Sequence, residues 1–464
     1  MSGQKLQKPE NRTQAGQAGA RQENGDHAVA LESVPGNAGE ARTSDGKLSA
    51  DALRRICIEE GAADVGFVEI GREALDSERE GTLKAYPKTR TLISLIKQSN
   101  REAIQSASLS VVDEEYKSIY GELDKISKKL IKRLNSMGVR GVAPPTGFPM
   151  DMTQWPGKIW DVAHKVVAVE AGLGHMGLHR CVIHPKLGSN VHLATILIDT
   201  EVDQYDKPLD DDPCINCKLC AVVCPVGAIP KDGEFSFLNC VSHNYHEMIG
   251  GFQDWIEGMV SSKSVGAYRS KFRDSETLMK WQALTLGYQF RCSYCVAVCP
   301  AGEDALGEYK SAKKEYVETI LKPLKDKKEP VYVIANTGAE EAAKKNPAKE
   351  IRYVNGTLRP TSIASFLDGV KLAFVPQRSK GLNLNLHFEF TGKESATATI
   401  KISDCKVDVQ DGFVGEPNLR VFADSETWVK MLNEEISLPR ALITRKLKLR
   451  GNPARMKEFK SCIA

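Results

Sequence analysis

No apolar run in this chain approaches the roughly 18 residues that a membrane-spanning helix needs. Its first residues carry neither an apolar signal core nor a twin-arginine signal. It has little net charge, with 63 Lys and Arg against 60 Asp and Glu leaving +3 at neutral pH, so no broad basic field argues for DNA or other nucleic acid as partner. Twelve cysteines in 464 residues are too sparse for the dense disulfide framework of a small secreted domain. These absences point to a cytoplasmic protein without a membrane span, long enough for about two to four domains.

The cysteines that are present lie mostly in one stretch. It opens with Cys214-x2-Cys217-x2-Cys220-x3-Cys224-Pro225, has Cys240 alone in the middle, and closes with Cys292-x2-Cys295-x3-Cys299-Pro300. The first run has the ligand spacing of a bacterial two-cluster ferredoxin, in which three cysteines hold one cluster and the fourth reaches to the other. Eight cysteines match the thiolates of two 4Fe–4S clusters, with Cys240 as the ligand that the closing run lacks. The crossing rule assigns Cys214, Cys217, Cys220 and Cys299 to one cluster and Cys224, Cys240, Cys292 and Cys295 to the other. Two structural zinc sites, or scattered core cysteines, form the competing reading. The x2-x2-x3-Cys-Pro run is more specific than a lone CxxC pair. Cys57, Cys181, Cys405 and Cys462 are left over and read as buried small hydrophobes.

Along the chain, residues 1–46 hold almost no large apolar side chains and read as a disordered tail. A short helix from Ser49 to Gly61, strands over 63–70 and 91–96, and a long helix through Tyr116, Tyr120, Leu130 and Met137 follow from their apolar periods. This alternation of helix and strand predicts an α/β layer. From Ala168 the chain reads AVEAGLGHMGLHRCVIHPKLGSN, leading into a strand over 191–198. Gly172, Gly174 and Gly177 lack the flanking strand and acidic residue of a dinucleotide site, so they mark close approach to a bulky planar ligand or to a neighbouring strand. His164, His175, His179, His184 and His192 crowd this region without a zinc spacing.

The GLGHMGLH and PKLGS stretches, followed by the two cysteine runs, resemble the cobalamin-dependent reductases that comprise epoxyqueuosine reductases and reductive dehalogenases. The resemblance covers about residues 48–310. It implies a nitroreductase-like cobalamin domain over 47–213 and a ferredoxin domain with two 4Fe–4S clusters over 214–309. It places cobalamin at Gly172, Gly174, Gly177, His179, Gly188 and Ser189, without a histidine ligand to cobalt, and the chain has no D-x-H-x-x-G motif. In the epoxyqueuosine reductases a proton-donating Asp stands about fourteen residues before the GLG stretch. Here that position is Lys158, with Asp161 nearby, so Lys158 is nominated as proton donor, followed by Tyr120 and His175. Leu178 stands where both families carry a basic residue, and His175 replaces their Trp or Glu.

Residues 310–359 read as a charged linker with a short strand and a helix. Beyond it, Leu382 to Phe390 alternate apolar and polar. The strands over 396–402, 405–409 and 419–422 are expected to continue an antiparallel meander, and Asp424-Ser425-Glu426-Thr427-Trp428 reads as a capped helix start. TATIKI, ADSETW and LKLRGNP make residues 360–464 similar to the sterol carrier protein type-2 domain, an α+β lipid-binding fold. The competing reading is a small structural domain with a filled core. The whole chain is therefore expected to be an α/β and α+β multidomain reductase acting on a hydrophobic substrate, in the manner of a reductive dehalogenase. Electrons would come from a donor such as ferredoxin or flavodoxin. One alternative is a two-cluster electron carrier with a lipid-binding module and no catalysis. The other is an epoxyqueuosine reductase-like tRNA-modifying enzyme.

Overall fold

The computed structural model describes residues 42–152, 160–231, 235–287, 289–335, 337–354, 360–433 and 435–463. Lys158 and residues 1–41 of the expected tail lie outside these. Residues 42–46 are already folded, since Arg42 bridges to Leu48 and Gly46 N–H donates to the Thr43 carbonyl.

The first layer is built on β1 (Asp64–Glu69), β2 (Thr91–Gln98), β3 (Gly141–Val142) and, after the short β4 (His175–Met176) and β5 (Val182–Ile183), β6 (Val191–Ile198). The order is β1-β2-β6-β3, and every neighbouring pair is antiparallel. Side chains alternate across each strand. Val65, Phe67, Ile93 and Leu95 pack under α1 (Ala50–Glu59) and α2 (Leu109–Ser136), meeting Leu53, Ile56, Leu123 and Leu130. Val68, Leu92 and Ile96 face α3 (His164–Glu170) through Val167 and Ala168. The layering is the expected one. The pairing is antiparallel because alternation of helix and strand along a chain gives the order of elements and not their direction.

The cysteine stretch follows as a set of helices: α4 (Leu219–Val223), α5 (Phe237–Asn244), α6 (Gly250–Val260), α7 (Val265–Lys271), α8 (Asp274–Leu286) and α9 (Tyr294–Ala297). Helices α6 to α8 form an excursion between Cys240 and Cys292. A buried charge network ties α8 down. Lys280 reaches Glu247 at 2.5 Å with side chains 2% and 1% exposed, and Arg291 binds the same carboxylate. Arg352 reaches Glu276 at 2.7 Å, and the Tyr332 hydroxyl donates to Glu276 at 3.1 Å.

Within the stretch expected as linker, β7 (Glu329–Ile334), α10 (Gly338–Lys344) and β8 (Lys349–Val354) make a parallel strand–helix–strand unit. Val331, Val333, Ala339 and Ala343 pack onto Val226 and Ala228, with Cys224 and Cys240 against the same cluster. The charge-rich sequence hides this because few, small apolar residues make the contact.

The last unit orders its strands β11-β10-β9-β12-β13, with β9 (Leu384–Thr391), β10 (Ala396–Ser403), β11 (Lys406–Asp411), β12 (Leu419–Asp424) and β13 (Leu447–Gly451). It is not a simple meander. β12 crosses over to lie parallel to β9. Helices α11 (Ile363–Ala373), α12 (Ser425–Leu432), α13 (Leu438–Ile443) and α14 (Ala454–Ser461) complete it. Asp424 caps α12 by accepting from Thr427 N–H at 3.1 Å. Phe366, Phe388, Phe390, Trp428 and Phe459 meet in one buried aromatic group. Helix α11 also touches α5. Among the described residues no helix is long and apolar enough to cross a membrane.

Candidate functional site

The opening cysteine run bends sharply, with Asn216 and Lys218 at left-handed φ values of 52° and 63°. Cys220 lies in α4 and Cys295 in α9, and these two short helices pack together. That packing brings Cys299, just past α9, to the opening run. Burial raises Cys220 to about 12, and the neighbouring Cys299, Cys217 and Cys214 push the same way. Cys214 and Cys299 share a small apolar cluster with Ile183. On the other side, Cys240 in α5 is raised to about 12 by burial, then by Cys224. Cys292 and Cys295 are likewise raised well above the ordinary thiol value by burial, and both have Cys224 and Cys240 as neighbours. The eight thiols thus fall into one group of Cys214, Cys217, Cys220 and Cys299, and another of Cys224, Cys240, Cys292 and Cys295.

This donor set fits a cubane in each group. Thiols that burial keeps protonated are poor nucleophiles, while iron's positive charge removes the proton outright on coordination. Backbone N–H groups also favour sulfur ligation, as Ala228 N–H donates to Cys224 Sγ at 3.2 Å.

The GLGHMGLHRC stretch serves these groups directly. His179 and Ser189 lie beside Cys299 and outweigh its burial, bringing its thiol below the ordinary value. Ser189 Oγ also donates to the Val296 carbonyl at 3.2 Å. Cys181 is not a bland core residue. It is a neighbour of Cys295 and Cys240, and despite burial the Lys165 charge and His179 bring it down to about 6. Sequence reasoning missed it because nothing in its spacing links it to the two runs.

The glycines expected at cobalamin are occupied by the chain's own packing. A Cβ on Gly172 would stand 2.5 Å from the Lys207 carbonyl oxygen, one on Gly174 2.3 Å from that of Ile183, and one on Gly177 2.7 Å from the Ile183 side chain. Gly188 (φ 67°) closes the turn that bridges to His184. His179 and Ser189 turn to Cys299.

The proton-donor candidates separate. His175 donates through Nε2 to the Leu209 carbonyl at 2.7 Å and so holds the β4–β5 hairpin in place. Tyr120 joins an aromatic group whose ring centroids lie 5.3 Å from His192 and 6.2 Å from Tyr116. Phe290 stands 5.1 Å from Tyr116 and 5.4 Å from Tyr245, placing the group two residues from Cys292. Burial holds His192 neutral, down at about 4, and raises Tyr116 well above the ordinary phenol range. The other two histidines of the region are each tied to the fold, His164 to Thr195 and the Pro145 carbonyl, and His184 to Asp64 while accepting from Lys186 and Leu187 N–H.

Asp113 is a further residue that the sequence did not single out. One turn before Tyr116, it is buried, accepts from Phe290 N–H at 3.1 Å, and is raised by burial to about 6. A carboxyl whose folded pKa is raised stabilises the fold at low pH and loses that contribution as pH rises through the folded value. Stability should therefore fall by about 1 kcal/mol between about pH 5.5 and 7.5 from this group, and Asp113→Asn should remove that part of the slope. Urea midpoints at the two pH values check it, and an unchanged slope in the variant would contradict the assignment.

Two family models match the chain: the 4Fe-4S binding domain over residues 207–229 and the SCP-2 sterol transfer family over 373–464. Among curated proteins, epoxyqueuosine reductases are similar. That of Cyclobacterium marinum is 28% identical over 29% of this chain and 34% of its own length. That of Staphylococcus aureus is 33% identical over 18% and 21%, and that of Pseudomonas aeruginosa 25% over 41% and 52%. The chain thus spans at most about half the length of these relatives. Solved structures of an epoxyqueuosine reductase from Streptococcus thermophilus and of a catabolic reductive dehalogenase are 16% and 15% identical, with TM-scores of 0.34 and 0.39. They cover 59% and 61% of this chain, and 78% and 39% of their own. The protein is therefore similar to epoxyqueuosine reductases over part of its length, with a 4Fe-4S binding segment in its middle and an SCP-2-type domain at its end.

Proposed function

We propose that this chain is an iron–sulfur oxidoreductase of the epoxyqueuosine-reductase type, working in a reducing, cytoplasmic setting and supplied by a donor such as ferredoxin or flavodoxin. The observation that carries the reading is the proximity of eight cysteines in two groups of four beside the α/β layer, in a chain similar in sequence to those reductases. It takes precedence over the dehalogenase-like reading, because the curated relatives similar in sequence are epoxyqueuosine reductases. Removing an epoxide oxygen as water takes two electrons and two protons. Two clusters deliver the electrons one at a time, and the chain's task is to position the substrate and supply protons. The test is to reconstitute the protein anaerobically, add reduced ferredoxin and tRNA carrying epoxyqueuosine, and look for queuosine by mass spectrometry. Absence of product with both clusters reduced would overturn the substrate assignment.

Cobalamin use is the finer part of this proposal, and its support is the resemblance and not the glycine positions. A corrinoid absorption spectrum in anaerobically purified protein is the expected result. A chain that takes up both clusters and no added corrinoid would remove it.

The SCP-2 match favours a second role, presentation of a hydrophobic cargo. The aromatic group around Trp428 fills the interior of that domain, with Phe366 and Phe388 at 5.3 and 5.4 Å from its ring. Its Nε1 has no hydrogen-bond partner among the described residues. Binding therefore requires these rings to part, and a ligand with a polar acceptor satisfies the indole N–H. The full chain should bind a fluorescent fatty acid, and a chain ending at residue 354 should not, while keeping its iron. A full chain that binds no such probe leaves only the reductase reading.

A further inference from the structure

Helix α8 is built inside out. It buries Glu276 and Lys280, each held in the charge network described above, and exposes its apolar residues. Leu278 and Trp281 are each 58% exposed on the side opposite the buried pair, and Leu284 (61%) and Leu286 (55%) carry the apolar surface to the helix end. A helix that merely packs on a core does the reverse. The arrangement is held by charge, because turning α8 over would take Lys280 away from the buried Glu247 carboxylate and Glu276 away from Arg352.

The neighbouring helices of the excursion expose apolar residues as well. Val260 and Val265 flank the α6–α7 turn at 85% and 67% exposure, and Ile256 and Met259 are also exposed. The three helices are joined through Trp255 Nε1, which donates to the Tyr268 hydroxyl at 2.9 Å, and through Tyr268 to Thr277. The exposed cations Lys263, Arg269 and Lys271 are interleaved with the apolar residues. Lys271 donates to Ser261 Oγ at 2.8 Å, and Arg269 has an exposed partner, Asp274, at 3.5 Å. The other acids of these helices are buried or half-buried, Asp254, Glu276 and Glu257, and the exposed Glu350 of β8 is paired with the exposed Arg273.

An exposed apolar patch of this extent on a soluble fold marks an interface. Apolar side chains with an indole among them, studded with Lys and Arg, match the boundary of an anionic membrane. A two-fold contact with a second copy would place the same cations on both sides of the interface. We propose that the α6–α8 excursion docks the protein onto an anionic lipid surface. Trp281, Leu278 and the 260–265 turn enter the headgroup boundary, and Lys263, Arg269 and Lys271 meet lipid phosphates. The docking is peripheral. It rests on neither the reductase reading nor the cargo reading, since it uses no residue of the quartets or of the C-terminal domain.

The test is co-sedimentation of the full-length, cluster-loaded protein with phosphatidylcholine vesicles, with or without about 30 mol % phosphatidylglycerol. Binding is expected to the anionic vesicles and to weaken between about 0.1 and 0.5 M salt. Lys263→Ala should weaken it about fivefold, and Leu278→Ser with Trp281→Ser at least about tenfold, with iron content unchanged. If the double variant does not fold, hydrogen exchange on the unmodified protein decides, because residues 256–286 should gain protection when anionic vesicles are added. The proposal is overturned if the protein stays in the supernatant with anionic vesicles, or if no such protection develops. It is equally overturned if Trp281→Ser splits a dimer and leaves vesicle binding unchanged, which would assign the face to a second copy.

Discussion

Replacing Cys240 by alanine should take the reconstituted protein from about eight irons to about four, leaving one 4Fe–4S cluster intact. Cys240 is the ligand that stands outside both cysteine runs. It sits half-buried in α5 beside Cys224, and its loss leaves three thiols for the second cluster. The first quartet draws on Cys214, Cys217, Cys220 and Cys299, none of which α5 positions. Cys181 is the one complication, because it already neighbours Cys240 and Cys295 and its thiol ionises near neutrality. The experiment therefore includes Cys240→Ala in a Cys181→Ala background. Iron content and the electron paramagnetic resonance of the reduced protein separate the outcomes. Eight irons retained in the double variant would dismiss the second quartet, and complete loss in the single variant would mean that the two clusters are not independent.

The second large effect is expected at Glu247. Its carboxylate is the shared partner of Lys280 and Arg291, in a site where burial already lowers the lysine's pKa. Glu247→Ala leaves two cations facing each other in the interior, at a cost of about 3–5 kcal/mol. Replacing Glu247, Lys280 and Arg291 together by apolar residues of similar volume should cost far less, since no buried charge is then left without a partner. Denaturant unfolding under anaerobic conditions measures both. A loss below about 1 kcal/mol for Glu247→Ala would show that water reaches the site and screens it.

Parts of this fold were plain in the sequence. β6 over 191–198, the helix stopped at Gly61 and the Asp424 cap all rest on local signals, a period or a single side chain acting on the next turn. The cysteine runs are legible for a similar reason, because cluster geometry imposes a spacing on consecutive residues. What stayed hidden depends on partners distant in the chain. The sequence LSVVDEE, which opens α2, has no clear helical stripe, so the helix was read as starting near Tyr116. β12 runs parallel to β9 because of a crossover that no short segment encodes. Helix α8 defies the rule that apolar residues point inward, and β8, which pairs with the expected strand β7 beyond the expected helix α10, has too few large apolar side chains to stand out among lysines and glutamates. His179, Ser189, Cys181 and Asp113 acquire their roles only when the α/β layer meets the cysteine stretch.

Helix α11 bears on how the SCP-2-type unit was joined to the rest of the protein. The family match begins at residue 373, yet Ile363, Phe366 and Val370 of α11 already belong to the same core, and Ser362 caps the helix by accepting from Ser365 N–H at 3.0 Å. A recombination breakpoint at 373 would leave three apolar side chains exposed on one fragment and a hole in the other, each side chain worth about 1.5–3 kcal/mol. The seam at which this unit can be transplanted, swapped or deleted without damage therefore lies before Ser362, and α11 belongs on the unit's side of it.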